Sequence, residues 1–327
     1  MIPKPQIVPD LLEAFRRSKT MFTAVELGVF EATPTTAKAF AEKAKADPRA
    51  AALLLDACVN LGLLAKDQDK YANTPESEIY LKRTSPHTLA GYALYSNSIL
   101  WRLWEYLPDA VREGTHRWPQ AFNMQGPIFS HFFQTDDAMR TFLTGLQGFG
   151  MLSSPQVVAA HDLGEVNHFV DLGGGTGHLA LAFLDKYPNA KATVFDLPQV
   201  IPLTREITNG RVTCEAGDFF SDPLPPADCY ALARIVHDWS LPKIQKLLAK
   251  IHDALPINGC LLICEMLLNE NRTGPTRALM QSLSMLTCTE GQERTAAEYE
   301  ALCKAAGFKT TSAKVTGAPV DAVLAIK

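Results

Sequence analysis

The stretch VDLGGGTGH, Val170 to His178, is where residue types and spacing most directly offer chemistry. A strand-like apolar run precedes it and a helical pattern follows. The loop is therefore expected at the carboxyl edge of a strand, where ligands collect in alternating sheets. It is not the dinucleotide fingerprint G-x-G-x-x-G: Gly173 and Gly175 supply the first two glycines, but the third position is His178. It reads as D-x-G-x-G-x-G, with Asp171, Gly173, Gly175 and Gly177. Glycines let backbone approach a ligand closely and take positive φ. A carboxylate at Asp171 is poorly placed for a pyrophosphate and suits a ligand with a cationic end, such as an α-amino group.

Two more acidic positions recur at strand ends. VFDLP places Asp196, followed by Leu197, at the end of the next strand, where a carboxylate can take both hydroxyls of a ribose. Gly217-Asp218-Phe219 closes the third strand. Asp218 can accept from an adenine amino group, and Phe219 can lie against its ring. An amino group, a ribose and an adenine without a phosphate describe S-adenosylmethionine, the expected cofactor. Its candidate contacts are Asp171, Gly173, Gly175, Asp196, Leu197, Asp218 and Phe219. A lone glycine loop is a weak signal, and Asp at a strand end is often only a helix cap. Three pieces in order, each at a strand's carboxyl end, are much stronger.

The fourth strand is expected to end in ARIVHDW, bringing Arg234, His237, Asp238 and Trp239 to the same edge. Methyl transfer to oxygen needs a hydroxyl deprotonated as it attacks the sulfonium methyl, and a neutral imidazole with a reference pKa of ~6.5 suits that role. His237 is the candidate base. Its second ring nitrogen needs an orienting acceptor. Glu265, ending the next strand, and Glu293, in the loop TEGQERT, can both reach, and the choice between them stays open. Asp238 ranks lower as an orienter, because adjacent residues face apart, and is a candidate substrate contact. Arg234 can hold the methionine carboxylate or support the loop. No metal site is expected, since the acidic residues hold separate roles at separate strand ends whereas a magnesium ion needs several oxygens converging on it.

These residues need a scaffold. From residue 166 the pattern alternates strand and helix, ending in two β-rich pieces, KTTSAKV and DAVLAIK, around Thr316-Gly317. The expected fold is α/β: a Rossmann-like, mainly parallel sheet with helices on both faces and an antiparallel C-terminal hairpin. The first hundred residues read as helices. Asp10 is expected to cap the first, whose stripe is Leu11, Phe15, Met21 and Val25. A second spans Thr36 to Ala44, and Asp47-Pro48 open a third. AKDQDKYANT follows as a two-stranded wing. This winged-helix outline often reads DNA, yet Lys/Arg and Asp/Glu nearly balance here and the third helix offers only Arg49 as a cation. Helix packing for dimerisation is the expectation. Residues 1–110 are assigned to this helical domain and 111–327 to the catalytic domain. Between them lies an aromatic-rich connector, including Trp101, Trp104, Trp118, Phe129 and Phe142, broken at Pro108, Gly114, Pro119, Gly126 and Pro127.

Composition narrows the function classes. With 327 residues, 47% apolar residues and 20% charged ones, the chain can bury a sizeable core. A net charge of −4 gives no basic footprint for nucleic acid or anionic membrane. The 7 cysteines show no Cys-x-x-Cys pair and no disulfide framework, so a cytoplasmic location is expected. No stretch reaches the ~18 apolar residues of a membrane span, and the N-terminus has no signal-peptide core.

VDLGGGTGH, VFDLP, GDFFSDPLPPADCYALARIVHDW, TEGQERT and DAVLAIK together resemble the class I S-adenosylmethionine-dependent O-methyltransferases of the plant caffeic-acid type. Within them the resemblance is greatest to the branch that methylates acetylserotonin. FTAVELGVF and LLLDACVNLGLL are similar too, so the likeness runs from about residue 10 onward. It implies a homodimer interlocked through the helical N-terminal part. It implies His237 as base flanked by Glu265 and Glu293, and a cofactor held by Gly173, Asp196, Asp218, Phe219 and Arg234. Two positions depart from that branch: Phe133, where a Tyr is expected, and Gly150, near which a Trp is expected.

The expected activity is methyl transfer to a hydroxyl of a small aromatic such as a hydroxyindole. Met124, Met151, Met280 and Met285 are candidate walls of the substrate pocket, although residues of this type more often belong to a core. A winged-helix dimer that senses S-adenosylmethionine without chemistry is the alternative, and a relative that has lost transfer is another. The intact set of His237, Glu265 and Glu293 speaks against the first of these. His178 at the third glycine position speaks against a nicotinamide oxidoreductase.

Overall fold

The computed structural model describes residues 4–327 apart from 127, 128, 130, 131 and 134. The chain forms two compact units: Met1–Trp101 with Thr144–Gly148, and Arg102–Leu143 with Phe149–Lys327.

In the first unit, helix Pro48–Asn60 starts where the sequence asks it to. Asp47 accepts the backbone N–H of Ala50 at 2.8 Å, and Pro48 occupies the first turn, where its missing N–H is harmless. Helix Ala37–Ala44 is capped in the same way by Thr36. Three short strands, β1 (Thr35–Thr36), β2 (Leu64–Asp67) and β3 (Lys70–Asn73), pair in the order β1-β3-β2, so the wing has one strand more than expected. Phe30, Phe40, Leu55, Cys58 and Tyr71 fill the core. Gly91 and Gly145 meet backbone to backbone: a Cβ on Gly91 would stand 3.0 Å from the Gly145 Cα.

The first helix corrects two expectations. It runs Ile7–Glu26, so Asp10 lies inside its first turn and pairs with Arg17 at 2.7 Å instead of capping. The expected stripe is also split. Val25 is buried and Met21 half-buried, but Leu11 and Phe15 remain 65% and 54% exposed, together with Ile7, Val8 and Leu12. The front of the helix has outrun the core of its own chain.

The second unit contains the expected sheet. Its strands are β4 (His168–Leu172), β5 (Lys191–Asp196), β6 (Thr213–Ala216), β7 (Cys229–Ala233), β8 (Cys260–Glu265), β11 (Thr310–Lys314) and β12 (Asp321–Ile326), with β9 (Leu267–Leu268) and β10 (Arg294–Thr295) pairing separately. The order is β11-β12-β8-β7-β4-β5-β6. All neighbours from β8 to β6 are parallel, and β12 is antiparallel to both β8 and β11. Helices cover both faces. Phe183 of helix His178–Lys186 stacks on Phe169 of β4, with ring centroids 4.4 Å apart, on one face. Leu247, Leu248 and Ile251 of helix Leu241–Ala254 pack on the other. Each such buried side chain contributes about 1.5–3 kcal/mol.

Strand order reverses at β4: the chain moves outward to β5 and β6, then returns to β7 and β8 on the other side. A crevice opens at such a switch point, at the carboxyl ends of the strands. In the connector, Pro108 and Pro119 sit in the first turns of helices Leu107–Glu113 and Trp118–Phe122, and Gly114 ends the former with φ 69°. The break expected at Pro127 lies outside the described residues.

Candidate active site

The fourth strand is shorter than the sequence suggested, and the reason shapes the site. β7 stops at Ala233, because Arg234 adopts φ 56°, a left-handed backbone that breaks the ladder. The chain then makes a single tight turn, Val236–Asp238. Glu265, at the end of β8, holds this turn: its Oε1 accepts the backbone N–H groups of Ile235, Val236 and His237 at 2.9, 2.8 and 3.3 Å. Gly291 presses on the other side. A Cβ at that position would collide with the His237 carbonyl, so the TEG loop can close on the turn only with glycine there.

His237 is thereby fixed in a buried pocket. Its Nδ1 lies 2.6 Å from Glu293 Oε1 and 3.3 Å from Glu265 Oε2, and its Nε2 lies 3.7 Å from Asp238 Oδ1. The two glutamates therefore divide the work. Glu293 orients the ring, while Glu265 chiefly anchors the backbone. Burial raises the pKa of Glu293 to about 8, against the pull of Arg234 and Arg294, and that of Glu265 to about 7. Asp238, on the Nε2 side, is pushed to about 7 by burial. One ligand atom each from His237, Glu265 and Glu293 converges within 4.8 Å, close enough to suggest a metal centre. The 2.6 Å Nδ1–Oε1 separation is a hydrogen bond, whereas two ligands of one zinc stand roughly 3 Å or more apart at bond lengths near 2.0 Å.

The cofactor candidates gather at neighbouring strand ends. Gly173, Gly175 and Gly177 all have positive φ, as the loop requires. Asp196 ties β5 to this loop: its Oδ2 accepts the Gly175 N–H at 2.8 Å and its Oδ1 the Leu197 N–H at 2.7 Å. Leu197 packs against the buried cluster of Met139, Leu143, Val200 and Leu203, as do Phe133 and Phe142. A Cβ on Gly173 would stand 3.3 Å from Phe219 Cε1 and closer still to Ile235, so the loop abuts the ends of β6 and β7. Asp218 is half-buried and turns the chain by accepting the Phe220 N–H at 2.8 Å. Asp171 is placed differently from expectation. Its carboxylate lies beneath the loop against Gly174, fully enclosed, near the Ala180 N–H but with neither oxygen in a close hydrogen bond among the described residues. It thus supports the loop from below rather than lining its open face. Burial and the charge of Asp196 raise its pKa to about 7. A buried carboxylate without a partner suits a cationic ligand, and S-adenosylmethionine carries a sulfonium and an ammonium. The loop, ribose-side and adenine-side residues fit that molecule.

Aromatic rings extend from the turn that carries His237. Trp239 meets Phe220 at 4.9 Å and Phe129 at 5.3 Å between centroids, and Phe129 leads on through Phe132 to Trp118. The indole Nε1 of Trp239 has no partner among the described residues. The methionines are scattered in character: Met285 is buried, Met124 half-buried, and Met151 and Met280 are 37% and 46% exposed. The structure thus does not join the four as one wall.

Sequence reasoning missed His178 and Ser154. The ring of His178, first residue of its helix, lies over Gly150, where any Cβ would collide with it. Its Nδ1 is 2.8 Å from Ser154 Oγ. The departure noted at Gly150 was the available signal, since a missing side chain leaves room for another.

Comparison with known proteins follows the same outline. The O-methyltransferase domain family matches residues 104–309, and the O-methyltransferase dimerisation domain family matches residues 10–83. The acetylserotonin O-methyltransferase of Gallus gallus is 38% identical over 99% of this chain and 97% of its own length. That of Bos taurus is 38% identical over 98% and 97%. The crystal structure of human N-acetylserotonin methyltransferase in complex with SAM superposes with a TM-score of 0.95 at 36% identity, covering 100% of this chain and 99% of that one.

Proposed function

This chain belongs to the S-adenosylmethionine-dependent O-methyltransferases, and from that premise we propose that it methylates a hydroxyl on a small aromatic acceptor, with His237 as general base. The cofactor, when bound, supplies an electrophilic methyl group on its sulfonium. The observation that carries the assignment of the base is the 2.6 Å bond between His237 Nδ1 and Glu293 Oε1. With Nδ1–H donating a hydrogen bond to ionised Glu293, the Nε2 lone pair is free to take the hydroxyl proton as the acceptor oxygen forms its bond to the methyl carbon. The imidazolium so formed lies beside Glu293, Glu265 and Asp238, and its charge favours the ionised form of Glu265 and Asp238 against the burial that raises their pKa. The products are a methyl ether and S-adenosylhomocysteine, with the proton held on His237 until solvent takes it.

The rings around Trp239 support a flat aromatic acceptor, and the names of the relatives point to a hydroxyindole such as N-acetylserotonin. We also infer a homodimer, supported by the dimerisation-domain match and by the uncovered apolar front of helix Ile7–Glu26. Assigning residues 1–110 to that helical domain and 111–327 to the catalytic one is part of the same reading. Seven unpaired thiols suit a reducing, cytoplasmic setting. Among the described residues, no helix is long and apolar enough to cross a membrane.

The test is incubation with methyl-labelled S-adenosylmethionine and a panel of hydroxyindoles, catechols and phenols. Label should appear as a methyl ether. Label on nitrogen or carbon would overturn the acceptor class. Tight binding of the cofactor with no labelled product from any acceptor would favour a non-catalytic binding protein.

A further inference from the structure

We propose that His178 is a binding residue for the methionine end of S-adenosylmethionine, its Nε2 accepting a hydrogen bond from the α-ammonium group. The inference rests on the cofactor assignment and adds a contact that the sequence pattern did not suggest.

The tautomer follows from a proton count. Ser154 Oγ donates its single proton to the Gly150 carbonyl at 2.7 Å, one helical turn back. It can therefore only accept in its 2.8 Å contact with His178, so the histidine proton sits on Nδ1 and the lone pair on Nε2. Burial and the nearby charge of Arg234 lower the pKa of His178 to about 4, which keeps the ring neutral. Gly150 fixes the ring from a second side, since any side chain there would collide with Nε2, Cδ2 and Cε1. The ring is held by two neighbours, yet the residue is only half-buried, which leaves part of it open.

Position says what it can meet. His178 is the first residue after the glycine loop, at the N-terminus of a nine-residue helix. The ribose and adenine candidates lie at the ends of β5 and β6, so the amino-acid end of the cofactor belongs beside the loop at the end of β4. Asp171 provides the independent sign of a cation there: it is fully buried beneath Gly174, and neither of its oxygens has a close hydrogen-bond partner among the described residues. Because Asp171 is enclosed below the loop, it cannot take an ammonium N–H directly, whereas His178 Nε2 on the loop's flank is a neutral acceptor that can, beside the loop's own carbonyls.

Calorimetry with the whole protein can separate a contact from mere packing. Two ligands are compared: S-adenosylhomocysteine, and methylthioadenosine, which lacks the amino-acid end. His178→Phe keeps Gly150 covered but removes the acceptor. It should weaken S-adenosylhomocysteine about ten- to hundredfold and change methylthioadenosine less than about twofold. Ser154→Ala, which frees the tautomer, should give a smaller loss of the same selectivity. His178→Gln, which keeps an acceptor, should recover part of the affinity, and it serves as the variant of record against His178→Leu if the phenylalanine chain fails to fold. Unchanged affinity for S-adenosylhomocysteine, or an equal loss for both ligands, would overturn the proposal. Failure of the wild-type protein to bind either ligand would instead overturn the cofactor assignment beneath it.

Discussion

His237 and Glu293 are joined by a 2.6 Å hydrogen bond across 56 residues of sequence, and both are buried. The ring is positioned by a loop that follows a helix from elsewhere in the unit, not by its own strand.

His237→Ala should lower turnover by ~10²–10⁴-fold while cofactor affinity changes little. Part of the loss should return at high pH, where a phenolic acceptor ionises unaided. Steady-state kinetics with a validated acceptor check this. Wild-type rates from the alanine variant near neutral pH would mean that proximity alone drives the reaction.

Glu293 and Glu265 should separate in different assays. Glu293→Gln should slow turnover with a nearly unchanged melting temperature. Glu265→Ala strands three buried N–H groups and should destabilise the fold by about 3 kcal/mol or more. Thermal melts and rates measured on the same preparations distinguish the two, and equal behaviour of both variants would contradict the division of labour.

Asp196→Ala removes the acceptor for Gly175 and Leu197 as well as the candidate ribose contact. S-adenosylmethionine affinity should fall about ten- to a hundredfold. Calorimetry showing wild-type affinity would place the ribose elsewhere.

The buried acids also predict a pH dependence of stability. Asp171, Asp238 and Glu265 stand at about 7 and Glu293 at about 8, raised chiefly by burial. Such groups hold more protons folded than unfolded. Their stabilising contribution is complete below the unfolded pKa and is lost as pH rises through the folded one. His178, lowered to about 4, acts with the opposite sign, but only below its unfolded value of ~6.5. Four raised acids outweigh one lowered histidine, so from roughly pH 4.5 to 8 the ligand-free protein should lose stability, and Asp171→Asn should regain about 1–4 kcal/mol at pH 8. Urea unfolding at several pH values reads both effects. A flat wild-type profile would mean that these carboxylates relax into water.

Leu11→Glu with Phe15→Glu should convert a dimer to a monomer without unfolding it, because both side chains are exposed within one chain. Sedimentation and circular dichroism together provide the check.

The sequence made the sheet legible because alternating apolar runs and helical stripes encode burial directly. Asp47-Pro48 and the glycine loop were legible because their backbone demands are local. What escaped was contact between distant segments. Nothing periodic marks Gly291 as the residue that must fit under His237, or Gly150 as the floor beneath His178. Leu11 looked like core because a stripe does not say which molecule buries it. The end of β7 was read too long because the apolar pattern continues through Ile235 and Val236, while the left-handed turn at Arg234 carries no glycine to announce it.

The place of β12 bears on how the protein is made. β8 emerges from the ribosome well before β12, the strand that covers its free edge in the finished sheet. Until then an apolar, fully buried-to-be strand presents unpaired N–H and C=O groups, the kind of edge on which nascent chains stick to one another. Glu265 sits at the tip of that strand, so the turn it holds borders the open edge until β12 arrives.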